Sequence, residues 1–160
     1  MKKINIATTF SAYDSLEELS VEDKSLMLEA VEIRKKAYAP YSRFRVGAAV
    51  LLDNGEIVVG SNQENAAYPS GLCAERVAIF YAGAIYPEAK ILKLAISATS
   101  DDKVVTSPIP PCGACRQSLV EYEYKQDVPF SIYFMGETGE IYKSDSVKNL
   151  LPFVFDKNFL

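Results

Sequence analysis

The spacing of apolar residues predicts a helix near the start of the chain. Leu26, Ala30 and Ile33 recur at intervals of three or four residues, which places them on one face of a helix. Ser20 precedes this pattern and is a residue type that commonly caps the start of a helix. Pro40 follows the pattern, and the helix is expected to end before it because proline disfavours helical backbone at the preceding residue.

Shorter apolar runs predict the strands of a sheet. Residues 46–52 and 57–59 flank the turn sequence Asp53-Asn54-Gly55, an arrangement typical of a β-hairpin. The elements predicted beyond the hairpin are a helix over 73–85, a strand over 92–98, a helix over 112–124, strands over 130–135 and 141–142, and a short helix before Pro152. This order predicts an α/β fold in layers. Its mixed, five-stranded sheet has a mostly parallel core extended by hairpins, with helices on both faces.

The same patterns divide the chain into two parts. Residues 1–19 are polar and aperiodic, and we interpret them as an N-terminal extension. Residues 20–160 contain no repeat, low-complexity tract or linker. They are predicted to form a single domain, which is long enough to bury a substantial core without disulfides.

Charge and hydropathy narrow the range of partners. The net charge of −4 argues against a nucleic-acid ligand, because phosphate backbones require a basic surface. No apolar run approaches the roughly 20 residues of a membrane-spanning helix. The first residues also lack the apolar segment of a signal peptide. We therefore expect a cytoplasmic protein that binds neither nucleic acid nor membranes.

Two features of the composition narrow the chemistry. The chain has no histidine, which excludes Ser-His-Asp and Cys-His catalysis as well as any imidazole metal ligand. It has three cysteines, an odd number that disfavours a disulfide framework in a reducing compartment. Metal binding or redox chemistry therefore explains the cysteines better.

The positions of the cysteines favour a metal site. Cys112 and Cys115 lie three residues apart at the start of one predicted helix, and Cys73 opens another. Helices that follow strands begin at the carboxyl ends of those strands, so the three sulfurs can meet at one edge of the sheet. Three protein ligands leave the fourth tetrahedral position of zinc to water, as in catalytic sites. Arg76 is close enough to Cys73 to hydrogen-bond the thiolates and withdraw charge from them.

Two simpler explanations compete with a catalytic metal. Cys112 and Cys115 have the spacing of a redox pair, and Cys73 could be a buried apolar residue. A redox pair formed by Cys112 and Cys115 would give no role to Cys73 or Glu75. A structural zinc would require a fourth cysteine or histidine, which the chain lacks. We therefore predict one catalytic zinc ion per chain.

Two motifs carry a resemblance to a known family. The segments Cys73-Ala74-Glu75-Arg76 and Pro111-Cys112-Gly113-Ala114-Cys115-Arg116-Gln117 resemble the signature of zinc deaminases in its three-cysteine form. In their full length they resemble the small homotetrameric cytidine deaminases. The segments 38–47, 62–68 and 150–155 are also similar to motifs of that family. The resemblance therefore covers the chain from about residue 37 to residue 155 and implies a cytidine-deaminase-like fold.

The resemblance implies a role for each matching residue near the metal. Cys73, Cys112 and Cys115 would bind zinc. Glu75 would act as the general acid and base, carrying protons between water, N3 of the pyrimidine ring and the departing amino group. Ala74 would contact the base through its backbone polar groups.

The resemblance also implies contacts to a nucleoside. Asn62 and Glu64 would hydrogen-bond the ribose, chiefly its 3′-hydroxyl, and Phe44 would pack against the pyrimidine ring. Phe155 would reach the active site of a neighbouring subunit in a homotetramer. Without the surrounding motifs, the two polar residues would be interpreted as exposed loop residues and the two aromatics as local packing.

The implied activity is hydrolytic deamination of cytidine and 2′-deoxycytidine to uridine and 2′-deoxyuridine, a reaction of pyrimidine salvage. The first alternative is a deaminase of another aminopyrimidine nucleoside, such as blasticidin S. A non-catalytic, zinc-stabilised interaction module is the second alternative. A nucleotide deaminase is disfavoured, because the sequence shows neither a basic cluster nor a glycine-rich phosphate loop near the predicted site.

Overall fold

The computed structural model describes residues 1–160 and contains three α-helices and six strands. The strands are β1 (Ser11–Tyr13), β2 (Phe44–Leu52), β3 (Ile57–Ser61), β4 (Ile91–Ser100), β5 (Ser131–Met135) and β6 (Ile141–Ser144). The α-helices are α1 (Val21–Arg34), α2 (Ala74–Ile85) and α3 (Gly113–Gln126). Single 3-10 turns lie at Leu16–Glu18, Tyr68–Ser70, Val147–Asn149 and Lys157–Phe159. The predicted helices and hairpins are thus present, but the helix expected before Pro152 is only a 3-10 turn.

The strands form one mixed sheet in the order β1-β6-β5-β4-β2-β3. It differs from the prediction in two details. The sheet has six strands instead of five, because β1 pairs with β6 at one edge. Its core is also not mostly parallel, since only β4 and β5 pair in parallel. The remaining four pairs are antiparallel. They are the hairpins β2–β3 and β5–β6, the central pair β2–β4 and the edge pair β1–β6.

The topology places the starts of two helices at one end of the sheet. Strands β3 and β4 are both antiparallel to β2, so they run in the same direction. Helix α2 follows β3 and helix α3 follows β4 in the chain. Both helices therefore begin near the same end of the sheet. The predicted metal site requires this arrangement, because its three cysteines lie at the starts of these two helices.

The helices cover both faces of the sheet, as predicted. Helix α1 packs Leu26, Met27 and Ala30 onto one face, where they meet Ala49 and Tyr133 from the strands. Helices α2 and α3 cover the other face; their core residues include Ala78, Ile79, Leu119 and Val120, packed against Val50, Leu94 and Ile96. The central strands are buried on both sides, so their sequences are nearly continuous apolar runs.

One glycine allows α2 to lie close to the sheet. A Cβ atom at Gly60 in β3 would lie 2.6 Å from the nitrogen of Ala78 and 2.8 Å from the carbonyl oxygen of Ala74. Any larger residue would push the first turns of α2 away from β3. None of the helices combines the length and the apolar character needed to span a lipid bilayer.

Candidate metal and substrate site

Three sulfur atoms meet where α2 and α3 begin. Cys73 is the N-cap residue of α2, Cys112 is the N-cap residue of α3, and Cys115 lies in the first turn of α3. The sulfur of Cys112 is 3.9 Å from that of Cys73 and 3.4 Å from that of Cys115, and all three sulfurs lie within 4.8 Å of one another. Zinc–sulfur bonds of about 2.3 Å in a tetrahedron place sulfurs about 3.8 Å apart. The thiol cluster therefore fits a zinc ion.

The helix ends make this position suitable for thiolates. Neither Cys73 nor Cys112 uses its side chain to cap its own helix, so both sulfurs are free to bind a metal. The partial positive charge at a helix N-terminus stabilises a thiolate placed there. Cys115 is buried, Cys73 is half-buried and Cys112 is exposed. The cluster therefore has a buried side toward α3 and an open side.

Hydrogen bonds within the cluster shift the pKa values of Cys73 and Cys115 in opposite directions. The hydrogen bond with Cys115, with further ones from Arg76 and Cys112, lowers the pKa of the Cys73 thiol to about 5 despite its partial burial. The hydrogen bond with the Cys73 sulfur, together with burial, raises the pKa of the Cys115 thiol. At neutral pH the thiols by themselves therefore hold negative charge at Cys73, which attracts a cation.

Arg76 contacts the cluster from the first turn of α2. Its Nη2 lies 3.8 Å from the sulfur of Cys73, and this charged contact raises the pKa of the guanidinium. Its Nε is buried and has no hydrogen-bond partner within the chain. The structure thus places Arg76 beside a thiolate, the position that the sequence indicated.

Glu75 is a buried carboxylate next to the thiols. Its residue is only 5% exposed, in the first turn of α2. Burial raises the pKa of this carboxyl group, and the nearby Cys73 thiolate raises it further, while a hydrogen bond with Cys115 opposes the shift. For brevity we call Cys73, Glu75, Cys112 and Cys115 the metal corner. Within it, a proton-carrying group lies beside the position that a metal would occupy.

A cavity of about 420 Å³ opens beside the metal corner, a volume within the range of small-molecule sites. It is lined by Tyr41, Ser42, Asn62, Gln63, Glu64, Asn65, Tyr68, Gly71, Leu72, Cys73 and Arg76. Cys73 belongs both to the thiol cluster and to the wall of this cavity. A ligand in the cavity would therefore lie next to the metal.

The two predicted ribose ligands, Asn62 and Glu64, lie in this wall and are held by the segment that follows α1. The Asn62 side chain accepts a hydrogen bond from Val46 N at 2.8 Å and donates one to Phe44 O at 2.9 Å. The Glu64 carboxylate accepts hydrogen bonds from the backbone nitrogens of Tyr41 and Ser42. It also accepts one from the hydroxyl of Ser42.

These contacts leave each side chain able to form a further hydrogen bond with a ligand. A carboxylate offers about four acceptor positions and an amide nitrogen offers two hydrogens, so Glu64 and Asn62 each keep one free. The hydrogen bonds from Tyr41 and Ser42 lower the pKa of Glu64 against a desolvation effect that raises it. Sequence analysis did not identify Tyr41 and Ser42 as parts of the site. Their only signal was their position inside the motif at 38–47.

The other predicted contact residues lie outside the cavity wall. Phe44 is the half-buried first residue of β2, and Ala74 is the fully buried first residue of α2 beside Cys73. Phe155 lies in residues 150–160, which we call the C-terminal tail, and its side chain is 61% exposed. It stacks on Phe159, with ring centroids 5.9 Å apart. The structure does not bring Phe155 to the cavity of its own chain.

Comparisons with known proteins agree with the geometry. Residues 20–131 match the model of the family described as the cytidine and deoxycytidylate deaminase zinc-binding region. A cytidine deaminase from Halalkalibacterium halodurans is 40% identical over 135 residues, which cover 84% of this chain and 95% of the relative. One from Sporosarcina psychrophila is 38% identical over 137 residues, covering 86% of this chain and 93% of the relative.

Solved structures show the same fold. The crystal structure of a cytidine deaminase from Burkholderia pseudomallei superposes with a TM-score of 0.71 at 34% identity, and covers 86% of this chain and 100% of that one. The crystal structure of the cytidine deaminase from Mycobacterium tuberculosis gives a TM-score of 0.64 at 31% identity, with coverage of 86% and 99%. The family match alone spans more than half of the chain. The chain therefore belongs to the cytidine and deoxycytidylate deaminase zinc-binding family.

Proposed function

We propose that the protein hydrolyses cytidine and 2′-deoxycytidine to uridine and 2′-deoxyuridine, with release of ammonia, as a step of pyrimidine salvage. One observation carries this proposal: a zinc-fitting cluster of three thiols, with a buried carboxylate beside it, adjoins a cavity of about 420 Å³ through Cys73. The relatives named above are cytidine deaminases that match most of the chain. Their activity supports the same activity here.

The residues of the metal corner divide the chemistry between them. Cys73, Cys112 and Cys115 hold the zinc, which when bound lowers the pKa of water and so supplies a nucleophile near neutral pH. Glu75 would take one proton from the attacking water and deliver it to N3 of the pyrimidine ring while the oxygen adds at C4. Glu75 would then carry the proton of the new C4 hydroxyl to the amino group. Ammonia leaves, and C4 becomes the carbonyl carbon of the product.

The cavity wall positions the nucleoside. Asn62 and Glu64 use their free donor and acceptor positions for the ribose, chiefly the 3′-hydroxyl. Because that hydroxyl is present in both nucleosides, the wall accepts either one. Phe44 and Ala74 lie outside the wall but next to Asn62 and Cys73, so the base would reach the ring of Phe44 and the backbone of Ala74 at the edge of the cavity. Arg76 hydrogen-bonds the Cys73 thiolate and withdraws charge from the metal ligands.

The charge of the cavity favours a nucleoside over a nucleotide. Arg76 is the one basic side chain among the residues that line it, and its guanidinium already faces the Cys73 sulfur. A phosphate group would add negative charge to a cavity that already holds the Glu64 carboxylate, without a free cation to balance it. We therefore expect deoxycytidine monophosphate to be a poor substrate.

Active sites completed by neighbouring chains would explain the exposed aromatic residues. Phe153 and Phe155 in the C-terminal tail are 80% and 61% exposed. Phe80, Tyr81 and Ile85 are also exposed on the outer side of α2. Apolar surfaces of this kind mark protein contacts. The assembly that we propose is a homotetramer in which Phe155 reaches a neighbour's cavity.

The division of the chain and its location are part of the same proposal. Residues 20–160 form the catalytic domain and residues 1–19 are an extension, a division supported by the family match, which begins at residue 20. The last residues of the extension pack on the domain, since β1 pairs with β6 and Leu19 is buried. Three reduced thiols at the site favour the cytoplasm, where disulfides are rare.

An absorbance assay tests the activity. Purified protein is incubated with cytidine, 2′-deoxycytidine, deoxycytidine monophosphate or blasticidin S, with and without a chelator that removes zinc. We expect conversion of the first two compounds, loss of conversion after chelation, and recovery when zinc is added back. Zinc-loaded protein that leaves both nucleosides unchanged would contradict the proposed function, and conversion of blasticidin S alone would replace it.

A further inference from the structure

Two side chains next to a metal ligand reach out of their helix to other parts of the chain. Arg116 and Gln117 directly follow Cys115 in the first turns of α3. The Nε of Arg116 donates a hydrogen bond to Pro111 O at 2.7 Å, and its Nη1 donates one to Leu150 O at 2.9 Å. The Nε2 of Gln117 donates one to Phe155 O at 2.8 Å.

The acceptors of these bonds are carbonyl oxygens next to a metal ligand and in the C-terminal tail. Pro111 O belongs to the peptide bond that leads into Cys112, the exposed metal ligand. Leu150 and Phe155 lie at the two ends of the first half of the C-terminal tail. Between them Leu151 and Val154 pack against the core, whereas Phe153 is 80% exposed. The Gln117 bond therefore holds the tail backbone beside its exposed segment.

The two hydrogen bonds of Arg116 fix Pro111 and Leu150 relative to each other. A guanidinium group is planar, and its donors keep a fixed geometry. The carbonyl before Cys112 and the carbonyl at the start of the tail are thus held at a fixed separation. Gln117 then holds the backbone of Phe155 relative to the same helix turn. The metal ligands and the tail are therefore attached to one rigid element.

We propose that Arg116 and Gln117 are positioning residues that couple Pro111 and Cys112, which we call the Cys112 loop, to the C-terminal tail. Arg116 acts through Pro111 on the metal ligand Cys112 and through Leu150 on the tail. Gln117 acts through Phe155 alone. The consequence for substrate binding rests on the proposed function, in which Phe155 completes a neighbour's cavity. The mechanical coupling does not depend on it.

Three zinc-loaded full-length variants test the coupling: Gln117→Leu, Arg116→Lys and the control Ser118→Ala. Lysine keeps the charge of Arg116 but cannot form both bonds. Ser118 bonds only to Ala114 O within α3, so its substitution leaves the loop and the tail in place. The measurements are hydrogen exchange of residues 150–160, the rate of zinc transfer to a chelator, and KM and kcat with cytidine.

Each variant has its own expected result. Gln117→Leu should speed exchange in the tail by about two- to tenfold, the effect of losing one hydrogen bond. It should raise KM by a similar factor, with zinc transfer and kcat unchanged. Arg116→Lys should speed both tail exchange and zinc transfer. Ser118→Ala should match the wild type in all measurements.

The outcomes separate this inference from the proposed function. Wild-type tail exchange in Gln117→Leu would overturn the coupling, as would unchanged zinc transfer in a folded Arg116→Lys variant. A protein that does not deaminate cytidine would fail the proposed function instead. The exchange and zinc measurements need no turnover, so they would still decide whether the two side chains couple the tail to the loop.

Discussion

The metal corner and the C-terminal tail differ in how far one chain completes them. At the metal corner Cys115 is fully buried, Glu75 is 5% exposed, and the three sulfurs already lie within 4.8 Å of one another. In the tail Leu151 and Val154 pack on the core, but Phe153 and Phe155 are 80% and 61% exposed. One chain thus brings the groups of the metal corner together, whereas the aromatic side chains of its tail stay exposed, as the proposed assembly requires.

This difference follows from the elements that carry each region. The thiols belong to two helix starts that the sheet brings to one end, so packing of the core holds them. The tail contains a single 3-10 turn, Lys157–Phe159, and no helix or strand. Substitutions at the metal corner should therefore affect the reaction within one chain. Changes in the tail should affect assembly and substrate binding while the metal stays in place.

Substitution of a metal ligand should have the largest effect. In Cys115→Ser most of the zinc should be lost. Turnover should fall by more than about 10⁴-fold, because the nucleophile that zinc supplies by lowering the pKa of water from about 15.7 to about 7 is lost. Elemental analysis and the cytidine assay measure both quantities, with Ser118→Ala on the same helix as the control. Full zinc content together with full activity in Cys115→Ser would remove this residue from the ligand set.

Loss of the proton carrier should be the second-largest effect. Glu75→Gln keeps the shape of the side chain but cannot carry a proton, so zinc should stay bound. General acid–base groups contribute about 10²- to 10⁴-fold, and we expect kcat to fall toward the upper end because the proposed mechanism uses Glu75 in several steps. Zinc analysis beside turnover separates this result from metal loss. Near-normal turnover in the zinc-loaded variant would refute the role of Glu75.

Truncation after Pro152 should have a moderate effect that spares the metal. Zinc content should match the wild type, whereas KM for cytidine should rise by about tenfold, the result of losing an aromatic contact of about 1.4 kcal/mol. Sedimentation measured in parallel reports the assembly. The comparison between the two regions would fail if the truncated chain kept unchanged kinetics, or if the full-length chain were a fully active monomer.

A single substitution in the tail should have the smallest effect. Phe155→Leu should raise KM by about two- to fivefold, because part of an aromatic contact to a neighbouring cavity is lost. Its free energy of unfolding should change by less than about 0.5 kcal/mol, as for other exposed positions. Phe153→Leu is the matched control and should leave KM unchanged. Equal effects of the two substitutions would show that the tail contributes only general apolar contact.

Local patterns were sufficient for the three α-helices, for five of the six strands and for the choice of metal. Apolar spacing indicated α1, the turn at Asp53-Asn54-Gly55 indicated the β2–β3 hairpin, and the three cysteines indicated zinc. These signals arise between residues that are close along the chain, where backbone geometry alone sets which side chains share a face. The cysteines were informative because a chain without histidine leaves few other strong metal ligands.

Pairing between distant segments was decided only by the tertiary structure. Strand β1 has three residues and no alternating pattern, so only its pairing with β6 defines it and adds the sixth strand. Glu64 was predicted as a ribose ligand from its motif, but its hydrogen bonds to Tyr41 and Ser42 join residues 22 and 23 positions apart. Such contacts depend on how the whole sheet assembles. The sequence by itself therefore indicated which groups are suited to the chemistry, and the fold decided which neighbours contact them.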